Sequence, residues 1–266
     1  LLIIIHSSNI FIILYYHFLQ YKFNYYFYNI NMIKAIFFDI FGTLVDWRAS
    51  LIKQIIDNRF FKKSPLFVEE FVINWRLEYQ PILNKVNSNK ISWMLLDDLH
   101  LITLNNVIKK MKINHLNNNR KKQLVNFWHK LKPWNDTVKA LNAINKNFIT
   151  CSLSNGNIKL QKNLVKYANL EFDFLFSAEN FKKYKPDLSV YLRAAASISL
   201  SPSECALVAS HKSDLKAANK AGFRTIYINR AKEYGSFLSK FPNTAFSSDY
   251  SINTLYDLPR KLKAEG

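Results

Sequence analysis

From Met32 onward the chain shows two hydrophobic rhythms in succession. "IKAIFFD" (33–39) is a short unbroken apolar run that ends in an acid, the pattern of a strand buried on both faces of a parallel sheet. From about Ala49 to Leu131 apolar residues recur at three- and four-residue spacing, in "SLIKQIIDNRFF", "PLFVEEFVINWRLEYQPILNKV", "WMLLDDLHLITLNNVIKKM" and "RKKQLVNFWHKL", which predicts helices alone. After "KPWND" strands and helices alternate. The strands are "FITCSLS", "DFLFSA", "CALVAS" and "RTIYIN", and the helices "TVKALNAIN", "NIKLQKNLVKYANL", "SVYLRAAASISL" and "SDLKAANKAG". "SPSE" (201–204) reads as a capping box with Pro at the first helical position.

Alternating strands and helices build a parallel sheet with right-handed crossovers. The expected fold is therefore α/β, a doubly wound, Rossmann-like core with an all-helical cap subdomain inserted after the first strand. The core is expected at 32–47 and 132–250, the cap at 48–131 and a C-terminal tail at 251–266. Residues 1–31 are apolar but interrupted by His6, Ser7, Ser8 and Asn9, and lack a basic n-region and a small-residue cleavage site. They are expected to be translated upstream sequence, with Met32 the start; the alternative is a membrane anchor.

Composition changes this picture little. The net charge of +18 would suit nucleic acid, but the lysines run along the whole chain with many Asn, Ile, Phe and Tyr, and only five glycines occur. That skew fits an AT-rich gene better than a basic patch, so neither a nucleic-acid nor a membrane partner is expected. Cys151 and Cys205 lie in apolar strands and read as buried hydrophobes of a reducing, cytoplasmic compartment.

Ligands of such sheets bind beyond the carboxyl ends of the strands. The polar residues there are Asp39, then Ser154 and Asn155, then Lys185, then Ser210, His211 and Asp214. Gly42, Gly156 and Gly222 sit at the same junctions, where a turn or close packing is needed.

"FFDIFGTLVD", "LSNGN", "YKPDLSVY" and "DLKAANKAGFRTIYINR" resemble, in order and spacing, the four motifs of the haloacid dehalogenase superfamily, and most closely its 2-haloacid dehalogenase (type II) branch. The resemblance covers nearly all of 32–232. It implies that Asp39 is the nucleophile, able to form an ester intermediate. It implies that Lys185 neutralises and orients Asp39, that Ser154 and Asn155 bind the substrate carboxylate, and that Thr43 supports Asp39 by hydrogen bonding. Tyr191 matches a family active-site tyrosine. Arg76, in "WRLEYQ", matches the cap arginine, assigned to the substrate carboxylate or the departing halide. From the residues alone, Ser154 and Asn155 could equally cap the following helix, and Tyr191 could be core.

Two absences separate chemistries on this scaffold. Superfamily phosphatases carry a second Asp two residues after the nucleophile to protonate a leaving alkoxide; this chain has Phe41. They also hold Mg²⁺ with two acids four apart, which here align with Ser210 and Asp214, leaving one acid. Both losses imply metal-free, cofactor-free attack on carbon, because a departing halide needs no proton. His211 stands where well-studied members have Asn, and adds a candidate base titrating near neutrality beside Asp214. The expected reaction is two-step hydrolysis of a short 2-haloalkanoic acid, a small anionic substrate, to a 2-hydroxy acid, and the resemblance implies a homodimer. The alternatives are a phosphatase of the same superfamily and a non-catalytic binding protein.

Overall fold

The computed structural model describes residues 32–241 and 244–263, so the expectation for 1–31 lies outside the described residues. Six parallel strands form one sheet in the order β5-β4-β1-β6-β7-β8. They are β1 (Ala35–Phe38), β4 (Ile149–Ser154), β5 (Phe174–Ser177), β6 (Cys205–Ala209), β7 (Arg224–Ile228) and β8 (Tyr250–Ile252). Strand β1 lies at the centre between β4 and β6, with all four residues fully buried. Alternation divides it cleanly. Ile36 and Phe38 pack into one apolar cluster, while Ala35 and Phe37 pack into the other. This explains why the strand reads as an unbroken apolar run.

Helices α6 (Thr137–Ile144), α7 (Ile158–Ala168), α8 (Ala178–Phe181), α9 (Leu188–Ala196) and α10 (Lys212–Lys220) alternate with the strands. "SPSE" forms the expected reciprocal cap, on a single 3₁₀ turn at Pro202–Glu204. Cys151 and Cys205 are free and buried, as read from sequence. Among the described residues no helix is long and apolar enough to cross a membrane.

The helical insert comprises α1 (Trp47–Asp57), α2 (Pro65–Leu77), α3 (Tyr79–Asn87), α4 (Leu96–Lys110) and α5 (Asn118–Phe127). It enters and leaves through a two-residue antiparallel ribbon, β2 (Val45–Asp46) with β3 (Lys132–Pro133). Asp46 caps α1 by accepting from Ala49 N at 2.9 Å, and Ser64 caps α2 with Pro65 at its first position. The periodic stretch 65–86, which reads as one helix, breaks at Glu78. Pro81 explains the break, since it has no N–H to bond the carbonyl four residues back. Cap and core also meet through polar contacts. Asn157 Nδ2 donates to Asp97 Oδ2 at 3.1 Å, and Asn87 Nδ2 donates to Tyr184 O at 2.7 Å.

One boundary needs correction. Within the stretch expected as a tail, the described residues belong to the core, because Tyr250–Ile252 is the sixth strand and Leu255 and Leu258 are fully buried. A three-residue edge strand is too short to carry a readable period.

Candidate active site

Strand β1 ends in a tight turn that fixes Asp39. Asp39 N donates to Val208 O at 3.1 Å, and Leu44 N closes the turn onto Ile40 O at 2.9 Å. Gly42 stands at φ +84°, and a Cβ there would lie 2.1 Å from Glu233 Oε1. Only glycine satisfies both the angle and the approach. The turn thus presents Asp39 and Phe41 to a cavity of about 950 Å³, lined also by Arg76, Tyr79, Asn155, Lys185, His211, Asp214 and Glu233.

Lys185 arrives on the loop between α8 and α9. Its Nζ donates to Asp39 Oδ1 at 2.9 Å and to Asp214 Oδ2 at 2.6 Å. Asn155 holds that loop, accepting from Lys185 N at 2.7 Å and donating to Lys185 O at 3.3 Å and to the Tyr79 hydroxyl at 3.1 Å. Asp214 sits in the first turn of α10, where a carboxylate is favoured by the helix dipole. Its Oδ1 accepts a short bond from the Tyr191 hydroxyl.

The electrostatics follow from burial and pairing. Burial alone pushes Asp39 up, but the Lys185 ammonium and then His211 hold it well below the usual carboxylate range. Burial would lower Lys185, yet Asp214 and Asp39 keep it above the usual lysine range. Asp214 stays raised, because burial outweighs the pull of Lys185 and the Asp39 charge adds to it. Tyr191 is driven well up by burial and by the Asp214 charge, so it remains a donor.

His211 differs from its expected role. Its Nδ1 lies 3.2 Å from Asp39 Oδ2 and its Nε2 2.9 Å from Glu233 Oε1. Burial would lower its pKa, but Glu233 overrides burial and holds it well above the ordinary value. Half-buried between two carboxylates, it keeps its proton above the ordinary histidine range, which is not the expected base titrating near neutrality. Glu233 is the residue that sequence reasoning missed. It is 2% exposed, and besides His211 it accepts from Trp47 Nε1 at 2.9 Å and Ser210 Oγ at 3.2 Å. It lies in the loop after β7, outside the motifs. The rule that strand ends carry the site, extended past "RTIYIN", is the signal that would have reached it.

The remaining candidates divide. Thr43 is fully buried and donates to Asp39 Oδ2 at 2.8 Å, so it supports the carboxylate and does not reach the cavity. Ser154 also lies off the cavity wall, its hydroxyl accepting from Gly156 N at 3.1 Å. Tyr191 stands behind Asp214 and not on the wall. Asn155 is on the wall, though its amide clamps the Lys185 loop. Phe41 faces the cavity and packs edge-on to Trp128. Arg76 is 8% exposed, lying 4.1 Å over the Tyr79 ring and 5.3 Å from the Trp47 ring. Its Nη1 is buried without a partner among the described residues.

A divalent cation does not fit these residues. Lys185 Nζ binds both carboxylates that would face it, and Ser210 stands in place of a second acid. Among the described residues no cluster of three or more acidic, His or Cys groups has the geometry to hold a metal.

The sequence model of haloacid dehalogenase-like hydrolases matches residues 33–222. The chain belongs to this family. It is an enzyme of the hydrolase class. The (S)-2-haloacid dehalogenase 1 of Pseudomonas sp. (strain CBS-3) is 28% identical over 239 residues, covering 86% of this chain and 96% of that protein. The (S)-2-haloacid dehalogenase 4A of Burkholderia cepacia is 27% identical over 209 residues, covering 76% and 85%. Among solved structures, an L-2-haloacid dehalogenase shares 36% identity at TM-score 0.80, covering 86% of this chain and 99% of its own. A defluorinating L-2-haloacid dehalogenase shares 33% identity at TM-score 0.81, covering 87% and 95%. In this haloacid dehalogenase-like hydrolase the second position after the strand-end Asp is Phe41, on an apolar wall.

Proposed function

We propose that the protein hydrolyses the carbon–halogen bond of short 2-haloalkanoic acids through an ester on Asp39. The observation that carries this reading is a buried carboxylate, kept ionised by Lys185, that faces the cavity beside an apolar Phe41. A carboxylate so placed is a nucleophile, and a halide leaves as an anion with no acid to assist it. Oδ1 is the attacking oxygen, since Lys185 is its one partner while Oδ2 meets both Thr43 and His211. Arg76, with its unpartnered Nη1, takes the negative charge of the substrate. Asp214, whose affinity for protons is raised, accepts a proton from the water that attacks the ester. The helical cap excludes bulk water while the bond breaks. The relatives' names point to the (S), or L, enantiomer as substrate.

The test is halide release in EDTA from (S)- and (R)-2-chloropropionate and from chloroacetate, by the wild type and by Asp39→Asn. Release from the (S) acid by wild type and none by the variant is the expected result. Equal release by both would exclude Asp39 as nucleophile.

A further inference from the structure

The two oxygens of Asp39 are unlike. Oδ1 meets Lys185, while Oδ2 accepts from Thr43 Oγ1 at 2.8 Å and lies 3.2 Å from His211 Nδ1. Thr43 Oγ1 itself accepts from Ser210 N at 2.9 Å, which leaves its own hydrogen for Oδ2. His211 has a carboxylate oxygen on each ring nitrogen, Asp39 on one side and Glu233 on the other. Ionised carboxylates only accept, so both ring nitrogens must carry hydrogen. Glu233 is itself pinned by Trp47 and Ser210.

We propose that Thr43 Oγ1 and cationic His211 Nδ1 form the oxyanion hole for hydrolysis of the Asp39 ester, and that Glu233 is a positioning residue that fixes His211 and its charge. This inference rests on the ester reading above. Once Oδ1 is alkylated, Oδ2 is the ester carbonyl oxygen. Water adds to Cγ as Asp214 takes one of its protons, and negative charge gathers on Oδ2, facing both donors. When the adduct collapses, the Cγ–Oδ1 bond breaks and Oδ1 leaves with the 2-hydroxy acid, reprotonated from Asp214. The second proton of the water goes to solvent, and Asp39 is again a carboxylate. Donors already in place before the charge develops are the arrangement that stabilises such an intermediate.

The alternative role, in which His211 accepts the proton of water, predicts the opposite pH dependence. The charged or titratable groups facing His211 are Asp39 from the β1 turn, Glu233 and Tyr234 from the loop after β7, and Tyr227 from β7. Lys185, Asp214, Arg76 and Lys212 share the same cavity.

The decisive measurement is rapid-quench mass spectrometry of the full chain with (S)-2-chloropropionate, following the burst of halide and the decay of the alkylated protein from pH 6 to 10. Ester decay is expected to slow as pH rises and His211 loses its proton. In Glu233→Gln that falling limb moves to lower pH. In His211→Leu, which has no donor, decay slows by roughly 10²-fold, the scale of one lost oxyanion donor, and the falling limb disappears. Ester decay that is still speeding up at pH 10, or a His211→Leu defect confined to the halide burst, would overturn the proposal. A single turnover in ¹⁸O-water separates the two readings, since label in the hydroxy acid and not in Asp39 would refute the ester itself.

Discussion

His100 offers a test of how the cap is held together. It lies on α4, 3% exposed, stacked on Trp128 with ring centroids 4.5 Å apart, and neither ring nitrogen has a partner among the described residues. Burial pushes its pKa down to about 3, from an ordinary value of 6.5, so it is neutral in the folded protein at any moderate pH. In the unfolded chain it takes a proton below pH 6.5. Over the window from about 6.5 down to about 3 the unfolded state binds one more proton, and folding stability falls by about 1.4 kcal/mol for each pH unit. Between pH 7 and pH 5 this one residue removes about 2 kcal/mol. Replacing it by Phe keeps the stacking ring, deletes the two unpaired nitrogens and removes the linkage. At about 2–4 °C per kcal/mol for a chain of this size, wild type should lose about 4–8 °C more in Tm than His100→Phe between those pH values. Thermal melts of both proteins at pH 7 and pH 5 make the comparison. An equal loss in both would refute the assignment of His100 as a buried neutral imidazole.

Two further outcomes follow from the same geometry. Lys185→Met leaves Asp39 and Asp214 buried without their shared cation, and should cost roughly 3–5 kcal/mol at pH 7 in urea denaturation. Asp39, held low by Lys185, contributes stability that is present above its unfolded value of 3.8 and is lost as pH falls, so the variant's deficit should shrink in acid. Gly42→Ala forces a φ of +84° on a residue with a Cβ and drives that Cβ into Glu233. It should lose about 1–2 kcal/mol from the angle alone, plus most activity. In Gly42→Ala/Glu233→Ala the steric part should be relieved, a non-additivity that a double-mutant cycle in urea would detect.

Much of this arrangement was legible in the sequence because local pattern and site position coincide. An apolar run ending in Asp39 has the pattern of a buried strand with its acid at the sheet edge, and the hydrophobic period changes close to the β2–β3 ribbon. The features that escaped have no local pattern. Glu233 lies in a loop, and what makes it part of the site is the absence of a side chain at Gly42, far away in sequence. The charge on His211 was out of reach for the same reason, since an imidazole's state depends on what faces each nitrogen and one of those partners is Glu233. Ser154 and Tyr191 sit at motif positions, yet one bonds its own turn and the other Asp214. Spacing locates a residue at the sheet edge but not the direction its side chain takes.

Charge balance ties the missing acid at Phe41 to the rest of the site. Three buried carboxylates, Asp39, Asp214 and Glu233, stand with two buried cations, Lys185 and Arg76, and with half-buried His211. Lys185 and His211 are committed to the carboxylates, whereas Arg76 forms no ion pair among the described residues and stacks on aromatic rings. An anionic substrate would bring one extra negative charge, which Arg76 can answer. In the proposed alkylation that total does not change, because the charge Asp39 loses is the charge the halide gains. No proton has to enter. A carboxylic acid at position 41 would sit 3% exposed against Trp128, close to ionised Asp39 and without a cation of its own. Burial and like charge would keep it protonated and cost stability. The aromatic wall and the absence of an acid at position 41 are thus one property, suited to a leaving group that departs already charged.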